Sequence, residues 1–434
     1  MAAAILLGMW IWGAPHIHAG SSDDGLEQSA RRFVRLGLAL RQIAPEEIDG
    51  YFGSPPNEAP ADESTPRLAT MDGKIGQLME TLRQLPASAR RDRLLLRSQG
   101  LRTLVGLIER PGSMPFEEEQ RRLYGIATPP LDQAAFARVR AELNRLLPGE
   151  GSLGRRIEAY RRSLIVPEAA RPALFARALA ECRRRTRQHW SLPANEQTDV
   201  EWTGAVDAAW HNYQGEYRST LRVNPQAVAF IGSAVDVACH EGYPGHHTQF
   251  VLAEMGGLHV EDRLVFLRSA GSALREGAAE YGVSLVFPPD ERLGFERDVL
   301  FPMAGLPPAE AARFERVRQL SYALAPAALP ILRAYRDGRI DRDEAADALE
   351  HDALIASPRA LIAFVDSLGA YSAGYTAARV RVQSAVERGA PTLAARWDRL
   401  ACLIRAADDA PLRRPTAIPC SPAVTGGPTI KEVG

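Results

Sequence analysis

The stretch GLEQSARRFVRLGLALRQI, residues 25–43, repeats apolar side chains at the spacing of an amphipathic helix. Arg- and Leu-rich stretches with the same period follow along most of the chain, and proline and glycine separate them. Helices are therefore predicted over residues 67–85, 88–110, 133–147, 153–163, 167–190 and, in several pieces, 226–407. This pattern predicts a mainly α-helical fold.

The segment WTGAVDAAWHNYQGEYRSTLRVN, residues 202–224, departs from that pattern. From Tyr217 to Val223 every second residue is polar or basic, which is the period of a β-strand. Gln214 and Gly215 fit a turn before it. We therefore expect a small antiparallel β element embedded in the helical protein.

Composition excludes several classes of protein. The 434 residues are 46% hydrophobic and 24% charged, as in ordinary globular proteins, and the formal net charge is −1. A nucleic-acid binder usually carries a basic excess, so no nucleic-acid partner is expected. No apolar stretch reaches the ~20 residues that span a bilayer, so no stable membrane span is expected. Nothing in the sequence predicts the oligomeric state.

The chain divides into four predicted parts. Residues 1–25 begin with the apolar run MAAAILLGMWIWGAP, which is either a signal peptide or an extension from a mis-assigned start codon. The first alternative implies a periplasmic or secreted protein and the second a cytoplasmic one. Residues 26–192 form an N-terminal helical half, and residues 193–411 form a catalytic half that closes a helical cleft with it. Residues 412–434, rich in Pro and Gly, are predicted to be a flexible tail.

The four cysteines form no C-x-x-C pair and are too sparse for a disulfide framework. Cys402 and Cys420 could pair if the protein is exported. Cys239 is predicted to be a buried helix residue rather than a nucleophile, because its side chain points away from the face of His240.

The sequence His240-Glu241-Gly242-Tyr243-Pro244-Gly245-His246-His247 has the composition of a zinc site. In a regular helix His246 faces away from His240, and His247 lies ~10.5 Å further along the axis. A continuous helix therefore cannot bring these rings to one ion. Pro244 and Gly245 allow a bulge that returns His246 or His247 to His240. The alternative is a polar helix end with solvated histidines.

A third ligand is expected from the stretch AGSALREGAAEYGVS, residues 270–284. Glu276 and Glu280 are four residues apart and share one helix face. This spacing suits Glu276 as a metal ligand and Glu280 as a carboxylate that orients a ligand histidine. An ordinary solvated Glu pair is the alternative.

HEGYPGHHTQ followed by REGAAEY resembles the bacterial family called domain of unknown function 885, whose signature is H-E-x-x-P-G-H-H. Other stretches, among them YQGEYRSTLRVNP, extend the resemblance over most of the chain. Ala278 stands where that family usually has Trp. The family is in turn similar to the gluzincin metallopeptidases, such as thermolysin and thimet oligopeptidase. The resemblance implies that Glu241 is the catalytic base and supports Glu276 and Glu280 in the roles given above.

The stretch GAYSAGY, residues 369–375, resembles the Tyr- and Gly-rich stretch of thimet-oligopeptidase-like enzymes. That resemblance implies that Tyr375, or as second choice Tyr371, stabilises the developing oxyanion, a role that suits a phenol O–H. Two core tyrosines on a kinked helix are the alternative. The resemblance to gluzincins also implies that the strand near residues 217–223 is an edge strand that binds extended peptide. Arg218 and Arg222 on this strand would then either contact a substrate carboxylate or face solvent.

These residues predict a zinc site, and the resemblance implies a zinc metallohydrolase of the metallopeptidase type. Zn²⁺ would be held by His240, His246 or His247, and Glu276, and Glu241 would activate the zinc-bound water. The expected substrate is a small peptide or amide. A zinc hydrolase or lyase of a non-peptide metabolite and a non-catalytic metal-binding protein are the two alternatives.

Overall fold

The computed structural model of the protein describes residues 20–53, 67–128, 130–205 and 208–405. The N-terminal apolar run up to residue 19, the tail 412–434 and Cys420 lie outside these residues, so the predictions about a leader, a flexible tail and a Cys402–Cys420 pair fall beyond them.

The prediction of a mainly α-helical fold is confirmed. The helices in chain order are α1 (Gly20–Ile43), α2 (Leu68–Gln84), α3 (Ala89–Glu109), α4 (Phe116–Leu123), α5 (Gln133–Leu146), α6 (Leu153–Arg162), α7 (Arg171–Arg187), α8 (Ser233–Glu241), α9 (His246–Met255), α10 (Ala270–Val286), α11 (Pro289–Phe295), α12 (Phe301–Met303), α13 (Ala311–Leu324), α14 (Ala328–Arg336), α15 (Arg342–His351), α16 (Pro358–Leu368), α17 (Arg379–Glu387) and α18 (Leu393–Arg405). Two π-helical segments, Glu296–Leu300 and Gly374–Ala378, interrupt the second half.

Helix boundaries follow local sequence signals. Ser88, Asp132 and Ser152 each accept a hydrogen bond from a backbone N–H of the following turn, which caps α3, α5 and α6. Such caps satisfy N–H groups that the first helical turn leaves without partners. The helices predicted from periodicity therefore begin and end close to the observed ones.

The strands are β1 (Ile48–Tyr51), β2 (Gln197–Trp202), β3 (Ala209–Gly215), β4 (Arg218–Val223) and β5 (Leu264–Phe266). The predicted antiparallel hairpin is β3 and β4, and its turn is Glu216-Tyr217, both with positive φ, rather than Gln214-Gly215. β2 adds to β4 in parallel, so the three-stranded sheet has the order β2-β4-β3. The predicted edge strand, β4, is thus the central one, and β3 and β2 are the edges. β1 and β5 form a separate antiparallel pair.

A continuous buried core runs from α1 to α18 and includes residues of both predicted halves, such as Phe33, Phe175 and Trp397. A disulfide between Cys182 of α7 and Cys239 of α8 joins the two halves covalently. Cys239 is buried and helical as predicted, but its bond to Cys182 was not predicted. In the part of the chain that the structure describes, every helix is too short or too polar to span a bilayer.

Candidate metal centre

The motif helix is broken where Pro244 and Gly245 interrupt it. α8 ends at Glu241 and α9 begins at His246, and the Tyr243–Pro244 peptide bond between them is cis. The Gly245 N–H donates to the Cys239 carbonyl at 3.0 Å. A Cβ at Gly245 would lie 1.7 Å from the His240 carbonyl oxygen, so only glycine allows this return of the chain.

The break brings His246, rather than His247, next to His240. One ligand atom of each of His240, His246 and Glu276 lies within 4.8 Å of the others. His240 Nε2 is 3.1 Å from Glu276 Oε2, and His246 Nε2 is 3.5 Å from Glu276 Oε1. The structure thus places together three residues that the sequence predicted as ligands.

Glu280 lies one turn further along α10 and faces the other nitrogen of His240. Its Oε1 is 3.3 Å from His240 Nδ1, and its Oε2 accepts a hydrogen bond of 2.8 Å from the Tyr322 hydroxyl. A carboxylate at Nδ1 fixes the ring orientation and leaves Nε2 free to bind a metal. This is the position predicted for an orienting carboxylate, and the contribution of Tyr322 was not predicted.

Small residues let α10 approach its neighbours. A Cβ at Gly277 would lie 2.7 Å from the Ala378 carbonyl carbon, so α10 packs backbone against backbone on the Gly374–Ala378 segment. That contact places Tyr375 over the centre, where its ring stacks on His240 with centroids 6.1 Å apart. Tyr371 instead donates its hydroxyl to Glu276 Oε1 at 2.9 Å. Of the two tyrosines, Tyr371 positions a predicted ligand and Tyr375 faces the open side.

Glu241 and His240 line a cavity of about 810 Å³. Tyr375, Tyr322 and Glu280 line the same cavity. Glu241 is 8% exposed, and burial raises its pKa, although His246 and His240 oppose the shift. The predicted base therefore stands beside the predicted ligands on the wall of a cleft.

His247 does not belong to this cluster. It is fully buried, with Nε2 3.0 Å from Glu196 Oε2 and Nδ1 2.8 Å from the Ser219 hydroxyl. The Ser219 hydroxyl also lies 2.8 Å from His211 Nε2. Both ring nitrogens of His247 are engaged, so the alternative in which His247 replaces His246 as ligand does not fit the structure.

Glu196 was missed by sequence reasoning. It accepts hydrogen bonds from Tyr243 at 2.6 Å and from Arg183 and Arg187 at 2.8 Å. Burial would raise the pKa of Glu196, but the hydrogen bonds from His247, Tyr243, Arg187 and Arg183 lower it to about 2. No local pattern around Glu196 signals this role, since its partners come from α7, from Tyr243 between α8 and α9, and from His247 of α9.

Asp49 of β1 is a second residue that the sequence did not indicate. Burial raises its pKa to about 6, although the charges of Arg275 and His246 oppose the shift. Asp49 thus brings an ionisable group of the N-terminal half within electrostatic reach of the cluster.

Arg218 and Arg222 both point toward β2. Arg218 lies 4.0 Å from Asp199, and Arg222 lies 3.3 Å from Glu201. All four side chains are substantially exposed. The solvent-facing alternative for the two arginines therefore fits the structure better than contact with a substrate.

The cluster fits zinc. Ligand atoms at ~2.0–2.1 Å from one tetrahedral zinc lie roughly 3.3 Å apart, and the two histidine Nε2–Glu276 oxygen distances of 3.1 and 3.5 Å bracket that value. Two histidines and one glutamate are a known catalytic ligand set, which leaves one position open. The site thus has three residues that would bind the ion, and it also has Glu280, which orients the His240 ring.

The fold is similar to that of solved structures named "putative lipoprotein". The one from Colwellia psychrerythraea has a TM-score of 0.51 and 15% sequence identity, over 91% of this chain and 75% of that chain. Another, from Shewanella oneidensis and described as of unknown function, has a TM-score of 0.48 and 13% identity, over 81% of this chain and 73% of that chain. No family model matches the chain, and no curated protein matches it. The first of these similarities shows a shared fold.

Proposed function

We propose that this protein is a zinc-dependent hydrolase that cleaves small peptides or amides. The observation that carries the proposal is the convergence of His240, His246 and Glu276, with Glu241 beside them on the wall of a cleft. Membership in the family called domain of unknown function 885 is part of the same proposal and rests on the H-E-x-x-P-G-H-H motif.

The roles of the residues follow from their positions. Zinc, when bound by His240, His246 and Glu276, supplies a Lewis acid that polarises a carbonyl oxygen and acidifies water. Glu241 takes a proton from the attacking water at its carboxylate and returns it to the leaving nitrogen. Tyr375 donates its hydroxyl to the oxygen on which negative charge develops.

The cleft supports a small substrate. Its volume of about 810 Å³ lies within the ~300–1,000 Å³ that small-molecule sites usually have. Ala208 and Ala209 line it at the start of β3, which is an edge strand. An extended peptide could add to that edge through main-chain hydrogen bonds. The expectation of peptide binding by an edge strand therefore moves from β4 to β3.

We also infer that the protein works in an oxidising compartment. The Cys182–Cys239 disulfide is of a kind that persists in periplasmic or secreted proteins and is rare in the cytosol. The name of the Colwellia protein, which places that protein among lipoproteins, supports an envelope location. Of the two interpretations of residues 1–25, the signal peptide agrees better with this inference.

The test compares zinc content and turnover in one preparation. Elemental analysis of the purified chain should find about one zinc per molecule. Digestion of a peptide library should give defined cleavages, and Glu241→Gln should abolish them without lowering the zinc content. Glu80→Gln, a change at an exposed position of α2, is the matched control and should cleave like the wild type.

The other outcomes separate the alternatives. Turnover on a panel of metabolite amides and esters, with none on peptides, would support a non-peptide hydrolase. Stoichiometric zinc without any turnover that depends on Glu241 would support a metal-binding protein. A chain without zinc would refute the proposal.

A further inference from the structure

Four of the described arginines line the cleft beside the candidate metal centre, and one of them differs from the others in its pairing. Three are paired with a carboxylate at distances between 2.6 and 3.9 Å, namely Arg161 with Glu158, Arg292 with Asp236 and Arg318 with Glu315. Arg379 is the exception, because among the described residues no carboxylate oxygen lies within 4.0 Å of its guanidinium. Arg379 therefore brings to the cleft a positive charge that its described neighbours leave unpaired.

The Arg379 guanidinium is held in place, yet its donors remain available. The side chain is half-buried, and its Cζ lies 4.3 Å from the centroid of the Tyr322 ring, which is a cation–π contact. No nitrogen of the guanidinium donates a hydrogen bond to a described residue, and none of these nitrogens is buried. A planar guanidinium with accessible donors matches a carboxylate, which can accept two parallel hydrogen bonds from it.

Arg379 lies close to the candidate metal centre. The hydroxyl of Tyr322, on whose ring the guanidinium packs, donates to Glu280 at 2.8 Å, and Glu280 in turn lies 3.3 Å from His240 Nδ1. Tyr375, four residues before Arg379, lines the same cleft and stacks on the His240 ring. The free guanidinium is thus separated from the carboxylate that orients His240 by a single aromatic ring. A group bound to Arg379 would therefore belong to a molecule that also reaches the centre.

We propose that Arg379 binds a carboxylate of the substrate, so that the cleft selects short peptides that carry a free carboxylate. This inference rests on the proposed function and names the substrate class of the same site. The carboxylate accepts hydrogen bonds from the guanidinium, while the carbonyl to be cleaved lies at the metal centre. In a short peptide the carboxylate is either the C-terminus or an Asp or Glu side chain. The C-terminus is the expected source, because every unblocked peptide has one.

The test measures binding, so that it does not depend on turnover. Calorimetry uses the full-length, zinc-treated Glu241→Gln protein with three probes, which are acetyl-Ala-Ala-Ala, its C-terminal amide and the C-terminal amide of acetyl-Ala-Ala-Glu. Loss of charged hydrogen bonds weakens binding about 10- to 100-fold, so the alanine amide should bind that much more weakly than the acid. The glutamate probe should bind as weakly as the alanine amide if the C-terminus is the source, and as tightly as the acid if a side chain is.

Variants in the same background distinguish Arg379 from the other cations of the cleft. Arg379→Met removes the charge and should bring the ratio of acid to amide affinity to about 1. Arg379→Lys keeps the charge and should retain part of the preference. Arg161→Met is the matched control and should keep the full ratio, because Arg161 lines the same cleft but pairs with Glu158. Circular dichroism and zinc content are measured in each variant to confirm that the fold and the metal centre are intact.

Three results would overturn the inference. They are equal affinity for all three probes, a preference for the acid that Arg379→Met leaves unchanged, and no binding of any probe up to about 10 mM. If Arg379→Met does not fold, the comparison of acid with amides still tests the inference. The proposed hydrolase activity fails separately. Binding that depends on Arg379, without cleavage by the wild type, would support the carboxylate site and refute the hydrolase. Cleavage that depends on Glu241, with equal affinity for acid and amides, would do the reverse.

Discussion

His246 and His247 are neighbours in the sequence, yet they belong to two different clusters of side chains. His246 faces His240 and Glu276 beside an open cleft. His247 faces the other way and is held between Glu196 and Ser219 in the closed interior. The first group offers ligand atoms that a metal can complete, and the second has already satisfied its hydrogen bonds within the protein.

The difference shows that a histidine-rich motif does not define a metal site by composition. The two rings point ~100° apart because His246 and His247 are adjacent residues of α9. The path of the backbone from Gly242 to Gly245, between α8 and α9, decides which of them faces His240. His247 then stabilises the loop that positions His246. The comparison therefore predicts separate effects on metal content and on stability.

The largest effect is expected on metal content. His246→Ala removes one of three ligands and should reduce zinc from about one per chain to nearly none after dialysis. His247→Ala, the matched control, should keep its zinc. Elemental analysis of both variants measures the zinc content. Equal zinc loss in the two would contradict the assignment of His246, and not His247, as a zinc ligand.

Stability should show the reverse pattern. His247→Ala leaves the buried Ser219 hydroxyl and Glu196 short of one hydrogen bond each, and every such group costs about 1–3 kcal/mol. The free energy of unfolding should fall by about 3 kcal/mol in urea titrations monitored by circular dichroism. His246→Ala, compared with metal-free wild type, should lose less. A smaller loss for His247→Ala than for His246→Ala would contradict the assignment.

The Cys182–Cys239 disulfide should contribute to the free energy of unfolding by an amount similar to that of His247. Its two cysteines are 57 residues apart, and closing a loop of that length stabilises the fold by about 2–4 kcal/mol. Cys182→Ala with Cys239→Ala should lower the urea midpoint accordingly, whereas the wild type in reductant should approach the double variant. An unchanged midpoint would argue against both the bond and the inferred oxidising compartment.

A smaller change, in metal affinity, is expected when Glu280, the carboxylate at His240 Nδ1, is replaced. Glu280→Gln keeps a hydrogen-bond acceptor but loses the charge, and losses of this type reduce metal affinity about 10- to 100-fold. Competition with a zinc chelator of known affinity measures the change. Asp298→Asn, an exposed surface change, serves as control and should leave the affinity unaltered.

The effect confined to the narrowest range of conditions is a dependence of stability on acid pH. Hydrogen bonds to Glu196 lower its folded pKa to about 2, below its ordinary value of 4.5. Its contribution is therefore fully present above pH ~4.5 and is lost as the pH falls toward 2. Glu196→Gln should flatten that acid limb of the stability curve, and an identical slope in the variant would contradict the role of Glu196.

Sequence patterns predicted the local part of this structure well. The helix predicted over residues 67–85 is α2, Leu68–Gln84, because the apolar period and the Pro-rich loop before it are local signals. The Glu276 and Glu280 pair was visible in the same way, since four residues of helix place both side chains on one face.

Contacts between segments far apart in the chain could not be predicted from the sequence. β2 has the half-exposed sequence QTDVEW, without an apolar pattern, so its parallel pairing with β4 could not be predicted. The partners of Glu196 and the Cys182–Cys239 bond likewise join segments that only the fold brings together. The choice between His246 and His247 required the dihedral angles of the Gly242–Gly245 turn, which the presence of Pro and Gly permits but does not specify.

The most direct test of the central claim is diffraction from crystals of the zinc-treated protein at the zinc absorption edge. The account predicts one anomalous peak ~2.0–2.1 Å from His240 Nε2, His246 Nε2 and a Glu276 oxygen. A peak at His247, or no peak near Glu276, would contradict it.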